Sequence, residues 1–189
     1  GVAAALNRGT WLDACALFFA SLGLATPRIW LGPMLLLVFA VQYDLFPVGG
    51  NEGWRSLILP TLSLGTAMAA MLARMTRSSL LEVLNADYVR TARAKGVKER
   101  SVVGRHALRN ALIPVITIAG LQLGSLLAGA VVTEKVFSWP GIGTLLLNAI
   151  QNMDFPLVQG CILMIAGVYV ITNLLVDVLY GIVDPRVKP

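Results

Sequence analysis

Of 189 residues, 57% are hydrophobic and 13% charged, and the mean hydropathy of +0.75 means more apolar surface than one soluble core of this size can bury. Membrane helices of ~20 residues, four or five at most, would use up the length and exclude a large soluble domain. The formal charge of +5 does not point to nucleic acid, because nine of the fifteen Lys and Arg are concentrated between Arg74 and Arg109.

In chain order, Thr10-Trp11-Leu12-Asp13 reads as a helix start, with the Thr10 hydroxyl taking an orphan backbone N–H and Asp13 favouring the positive end of the helix dipole. From Ala14 to Tyr43 the apolar pattern is interrupted by Pro27 and Arg28, and each half is too short to cross a bilayer. One long, kinked span is expected there. Uncharged runs at Leu57–Ala73, Ala111–Val132 and Pro156–Val176 each match a bilayer crossing. Pro60 and Pro156 sit near helix starts, where a missing N–H removes no intrahelical bond. The expected fold class is therefore all-α, a polytopic membrane helix bundle. Its four transmembrane helices fall at about 14–43, 57–78, 109–132 and 156–180, with a connecting loop at about 79–108.

Positive loops stay on the cytoplasmic side. The loop 79–108 belongs inside, whereas the loops with Asp44, Glu52 and Arg55, and with Glu134, Lys135 and Asp154, belong outside. Four crossings then put both ends in the cytoplasm, with Arg8 at one and Arg186 and Lys188 at the other. Trp11, Trp30 and Trp139 suit interfacial positions or helix packing.

Inside the basic loop, Asn85 to Gly96 reads as a short capped helix. Asn85 or Asp87 can cap its N-terminus, Lys95 suits its C-terminal end, and Gly96 can adopt the left-handed conformation beyond it. Tyr88, Ala92 and Lys95 share one side, flanked by Val89 and Gly96, and Ala92 is small enough for close docking. In the external loop, Pro140-Gly141 reads as a type II turn, with Thr144 to Met153 as a short amphipathic helix after it.

The run "YVRTARAKG" at 88–96, followed by "RHALRNALIPVIT" at 105–117, resembles the cytoplasmic loop of permease subunits in binding-protein-dependent ABC importers, most closely the dipeptide, oligopeptide and nickel branch. That loop carries a pattern of Glu-Ala-Ala, three residues and Gly. Arg90, Thr91 and Ala92 occupy the first three places here, so only Ala92 and Gly96 fit. His106, Leu108 and Arg109 replace the Ile, Leu and Pro that end the general pattern, and a proline follows at Pro114. The resemblance extends to "GVAAALNRGTWLD" at 1–13, "LPTLSLG" at 59–65, "VFSWPGIG" at 136–143 and "DPRVKP" at 184–189.

The resemblance implies an ATP-driven permease of the prokaryotic cytoplasmic (inner) membrane that moves peptides or similar small solutes, with nickel as the alternative cargo. Tyr88, Val89, Arg90, Thr91, Ala92, Arg93, Ala94, Lys95 and Gly96 would form the helix that couples to the ATPase. The implied partners are ATP-binding cassette subunits, a second homologous permease, a periplasmic or lipid-anchored substrate-binding protein and the lipid bilayer. Branch members have six spans, so the resemblance also implies an N-terminal truncation of two spans.

Gly120, Gly124 and Ala128 form a small-residue stripe for helix packing. Thr117, Gln122 and Ser125 are polar within the third span and can line a route or bond between helices. Asp177 reads as an interfacial partner of Arg or Lys, His106 as structural, and Cys15 and Cys161 as small hydrophobes. No nucleophile with its base, no metal-ligand cluster and no glycine-rich phosphate loop occurs, so neither enzyme nor cofactor is expected. An ion-driven secondary transporter is the rival reading, supported by Pro27, Arg28 and Asp177.

Overall fold

The computed structural model describes residues 1–51 and 53–183. Glu52 and the tail from Asp184, with the expected cytoplasmic charges Arg186 and Lys188, lie outside them. All regular structure among the described residues is helical: α1 (Val2–Leu6), α2 (Trp11–Ala25), α3 (Arg28–Leu35), α4 (Ile58–Leu84), α5 (Asp87–Ala94), α6 (Glu99–Ser101), α7 (Leu108–Val136), α8 (Ile142–Gln151) and α9 (Phe155–Val183). A 3-10 turn at Trp54–Leu57 leads into α4, and wider π-helical turns at Leu36–Gln42 and Val102–Ala107 continue α3 and precede α7.

Three helical stretches, Trp54–Leu84, Glu99–Gly124 and Phe155–Val176, are long and apolar enough to cross a membrane. A fourth is present if α2 and the helix after Pro27 count as one broken span. Proline causes the break. Pro27 is extended at ψ 131° and has no N–H, so helical bonding restarts at Arg28. Over the expected kinked span at 14–43, the structure has two helices, α2 and α3, on either side of Pro27. Large apolar side chains such as Phe19 and Leu163 are about 70% exposed, a surface that calls for lipid.

The helices outrun the expected spans. α4 runs over the second expected span, about 57–78, and continues to Leu84. On it, the guanidinium groups of Arg74 and Arg77 bond Ser21 and Asp13 of α2. The Thr10 hydroxyl also departs from expectation. It donates to the Asn7 carbonyl at 2.7 Å, and Asp13 instead accepts the backbone N–H of Gly9 at 3.1 Å.

The chain forms two compact units. The first comprises Gly1–Leu24, Ala69–Leu121 and the chain from Leu174. Its core holds Leu80, Val89 and Val102 without exposure, with Ala5, Ala92, Ala107 and Ala111. Four alanines in one cluster let α1, α5 and the start of α7 approach α4 closely. The Ser79 hydroxyl within this core donates to the Ala111 carbonyl at 2.9 Å, so its burial leaves no polar atom unsatisfied.

The second unit comprises Ala25–Met68 and Gln122–Asn173, with Ala40, Leu59 and Phe137 at its core. Here α7 ends in a Schellman motif: Trp139 N–H bonds the Glu134 carbonyl at 2.8 Å, and Ser138 takes the left-handed conformation at φ 49°. The next helix, α8, ends the same way, with Asp154 N–H on the Ala149 carbonyl at 2.9 Å and Met153 at φ 55°.

Candidate functional site

The short helix foreseen in the basic loop is α5. Its N-cap is Ala86 rather than Asn85 or Asp87, with no side-chain cap bond. The Asn85 amide is occupied elsewhere, donating to the Leu81 carbonyl at 2.9 Å, and Asp87 lies in the first turn, where a carboxylate favours the helix dipole. At the other end Gly96 is left-handed at φ 78° as expected. Gly96 N–H bonds the Arg93 carbonyl at 2.9 Å and Val97 N–H the Ala92 carbonyl at 3.3 Å, a complete Schellman motif.

This termination turns Val97 back onto the core that holds Ala92. As a result α5 has two faces. Val89 and Ala92 are buried in the chain's own core, so the small side chain at Ala92 serves docking onto α4 and the start of α7. Tyr88, Arg90, Thr91, Arg93, Ala94, Lys95 and Gly96 are exposed.

Arg93 forks onto Glu99 with Nη2–Oε1 at 2.7 Å, closing the loop between α5 and α6. Asn110 Nδ2 donates to the Tyr88 hydroxyl at 2.8 Å, tying the exposed ring to α7. Lys95, Lys98, Arg100, Arg105 and Arg109 are exposed in the same unit, so the surface around α5 is strongly cationic. His106 is exposed among them.

Sequence reasoning missed Arg77 and Asp13 as a pair. Arg77 Nε and Nη2 bond the two Asp13 oxygens at 2.5 and 2.7 Å, and Asp13 is only 4% exposed. Only the sign of the two charges could have signalled a contact across 64 positions of sequence.

Of the polar residues in the third expected span, Thr117 donates to the Ile113 carbonyl of its own helix at 3.1 Å and is half-buried, as is Gln122. The side chains of Ser125, Ala128 and Asp177 lie outside the described ones. A methyl group at Gly120 would overlap Val176, and one at Gly124 would overlap Tyr169, so these two glycines admit side chains of α9. Cys15 is exposed and Cys161 buried, both as free thiols.

In the second unit a groove of about 970 Å3 is bordered by Trp139, Thr144, Asn148, Leu157 and Met164. The Pro140-Gly141 sequence beside it is not a type II turn. Gly141 is extended at φ −136° and serves as the N-cap of α8, and space is what requires glycine, since a Cβ there would overlap the Glu134 carboxylate. The short helix expected at Thr144 to Met153 is present as Ile142–Gln151.

Apolar helices long enough to cross a membrane, joined through a basic segment that carries a short helix with one exposed face, define a polytopic membrane protein. The whole chain, residues 1–189, matches the family of binding-protein-dependent transport system inner membrane components, and it belongs to that family. It is 46% identical over 188 residues to the glutathione transport system permease protein GsiC of Escherichia coli (strain K12) and to those of Shigella dysenteriae serotype 1 (strain Sd197) and Salmonella choleraesuis (strain SC-B67). Each match covers 100% of this chain and 61% of the relative. The chain is thus a multi-pass inner-membrane component of that family, and it spans about 61% of the length of these relatives.

Proposed function

We propose that this chain is the C-terminal part of a permease subunit that imports peptides or similar small solutes, driven by ATP hydrolysed on a separate subunit docked at α5. One observation carries this reading: α5 is rooted by Val89 and Ala92 in a core shared with α4 and the start of α7, while its opposite face is exposed. A short helix built in this way turns a push on Tyr88, Arg90, Thr91, Arg93, Ala94 or Lys95 into movement of the helices beneath it. Relatives named for glutathione transport favour a peptide over nickel.

The partners are two ATP-binding cassette subunits, a second homologous permease and a periplasmic or lipid-anchored binding protein. The basic segment and both ends face the cytoplasm, following the placement of positive charge. Between the two permeases, Thr117, Gln122 and Ser125 contribute polar groups to the route.

Uptake of labelled glutathione and dipeptides into vesicles carrying the full subunit with its partners tests the reading. Uptake should require ATP inside and the binding protein outside. Transport that persists without ATP in the presence of an ion gradient would refute it in favour of a secondary transporter. A thiol at Arg90→Cys should react only with reagent admitted to the cytoplasmic side.

A further inference from the structure

The first unit contains a connection that the docking of α5 does not by itself require. On α4, Arg77 lies three residues before Leu80, whose side chain is fully buried against the inner face of α5. From there the Arg77 guanidinium reaches α2, and its fork closes on Asp13 with two bonds of 2.5 and 2.7 Å. Asp13 also accepts Gly9 N–H at 3.1 Å, which fixes the turn between α1 and α2. Farther along, Arg74 Nη2 donates to the Ser21 hydroxyl at 3.0 Å. Moving forward on α2 from Asp13 to Ser21 means moving backward on α4 from Arg77 to Arg74, so the two helices run antiparallel and are pinned at two points. α1 joins the same assembly, since Ala5 shares the core of Val89 and Ala92.

Apolar contacts between helices are non-directional and permit sliding. A bidentate guanidinium–carboxylate fork fixes both distance and angle. With Asp13 buried, salt screens this contact poorly.

We propose that the Asp13–Arg77 pair is the joint through which displacement of α5 reaches α2, making Arg77 a positioning residue for coupling. The proposal rests on the assignment of α5 as the ATPase-docking helix. Within this unit, α1, α2 and the adjoining turns of α4 and α7 then follow α5 as one body. When the pair is broken, α5 still receives the partner but α2 no longer follows.

The test uses the full subunit assembled with its ATPases and binding protein in proteoliposomes. Asp13→Asn, Arg77→Gln and the double variant should each hydrolyse ATP within about twofold of wild type yet lose uptake about tenfold, with the double no worse than either single. Wild-type uptake in the assembled single variants overturns the proposal. Arg77→Lys keeps the charge but not the fork and is read if the uncharged variants fail to assemble; wild-type uptake there overturns the proposal equally.

A rescue arm separates a joint from a merely structural contact. In the double variant, with Cys15→Ser and Cys161→Ser, a short bifunctional thiol reagent joins Ser21→Cys to Arg74→Cys after assembly. Linking should restore uptake, and failure to restore it counts against the joint. Arg90→Glu, on the exposed face of α5, isolates the underlying assignment. If that change leaves uptake and hydrolysis at wild type, α5 is not the docking helix. If it blocks uptake while Asp13→Asn does not, only the joint fails.

Discussion

Glu134 closes the start of α8 through Thr144: its Oε2 accepts the Thr144 backbone N–H at 2.8 Å and lies 3.0 Å from the Thr144 hydroxyl, which also reaches the Trp139 carbonyl at 2.9 Å. Gly141, the formal N-cap, has no side chain to give, so a carboxylate from the end of α7 takes over its task. The same carboxylate sits at the positive end of the α8 dipole.

Replacing Glu134 with Ala therefore removes a cap and a favourable charge, at a cost of about 1 kcal/mol to this segment. Amide hydrogen exchange at residues 142–146 should accelerate, while exchange in α5 stays unchanged. Unaltered protection of the Thr144 amide would show that the carboxylate does not hold this helix.

Gly96 carries the termination of α5 at φ 78°. An alanine there adopts the left-handed conformation at about 1–2 kcal/mol, so Gly96→Ala should reduce uptake only partly. Proline is worse on two counts. It cannot reach a positive φ, and it removes the N–H that bonds the Arg93 carbonyl. Gly96→Pro should abolish uptake while membrane insertion, measured by protease protection, remains normal, and uptake near wild type would show that α5 needs no fixed end.

Ala92 is 9% exposed in a core that also contains Leu80 and Val89 at 0%. Tryptophan does not fit there without lifting α5 off α4, so Ala92→Trp should block uptake with insertion intact. Leu80→Ala leaves a cavity instead and should cost about 2–5 kcal/mol, depending on how far the site collapses. Thermal unfolding in detergent reads both; an unchanged midpoint for Leu80→Ala would contradict the packing described.

The uncharged runs were legible because lipid imposes one composition over a length of about 20 residues. Gly96 was legible too, since a glycine after a short helical pattern has few other uses. The ends marked by Ser138 and Met153 were not, because neither residue type advertises a left-handed conformation. Reading Pro140-Gly141 as a type II turn assigned glycine's freedom to its φ, whereas the Glu134 carboxylate required its lack of a Cβ. Asp13 and Arg77 escaped for a different reason. Local rules reach a few positions, and this pair meets only after α2 has packed on α4.

The small-residue stripe on α7 gives a last test. Gly120 is buried beneath Val176, and a Cβ added there would overlap that side chain, so one methyl group already forces α7 and α9 apart within the first unit. In the second unit, Gly124 bears the same relation to Tyr169. Overpacking of this kind costs about 1–3 kcal/mol. Gly120→Ala should therefore lower the unfolding midpoint of the purified subunit, and adding Val176→Ala should return part of the loss, because the second change removes the methyl groups that the first one meets. Coupling of about 0.5–3 kcal/mol between the two changes identifies direct contact. Strict additivity would show that Gly120 and Val176 are not in direct contact.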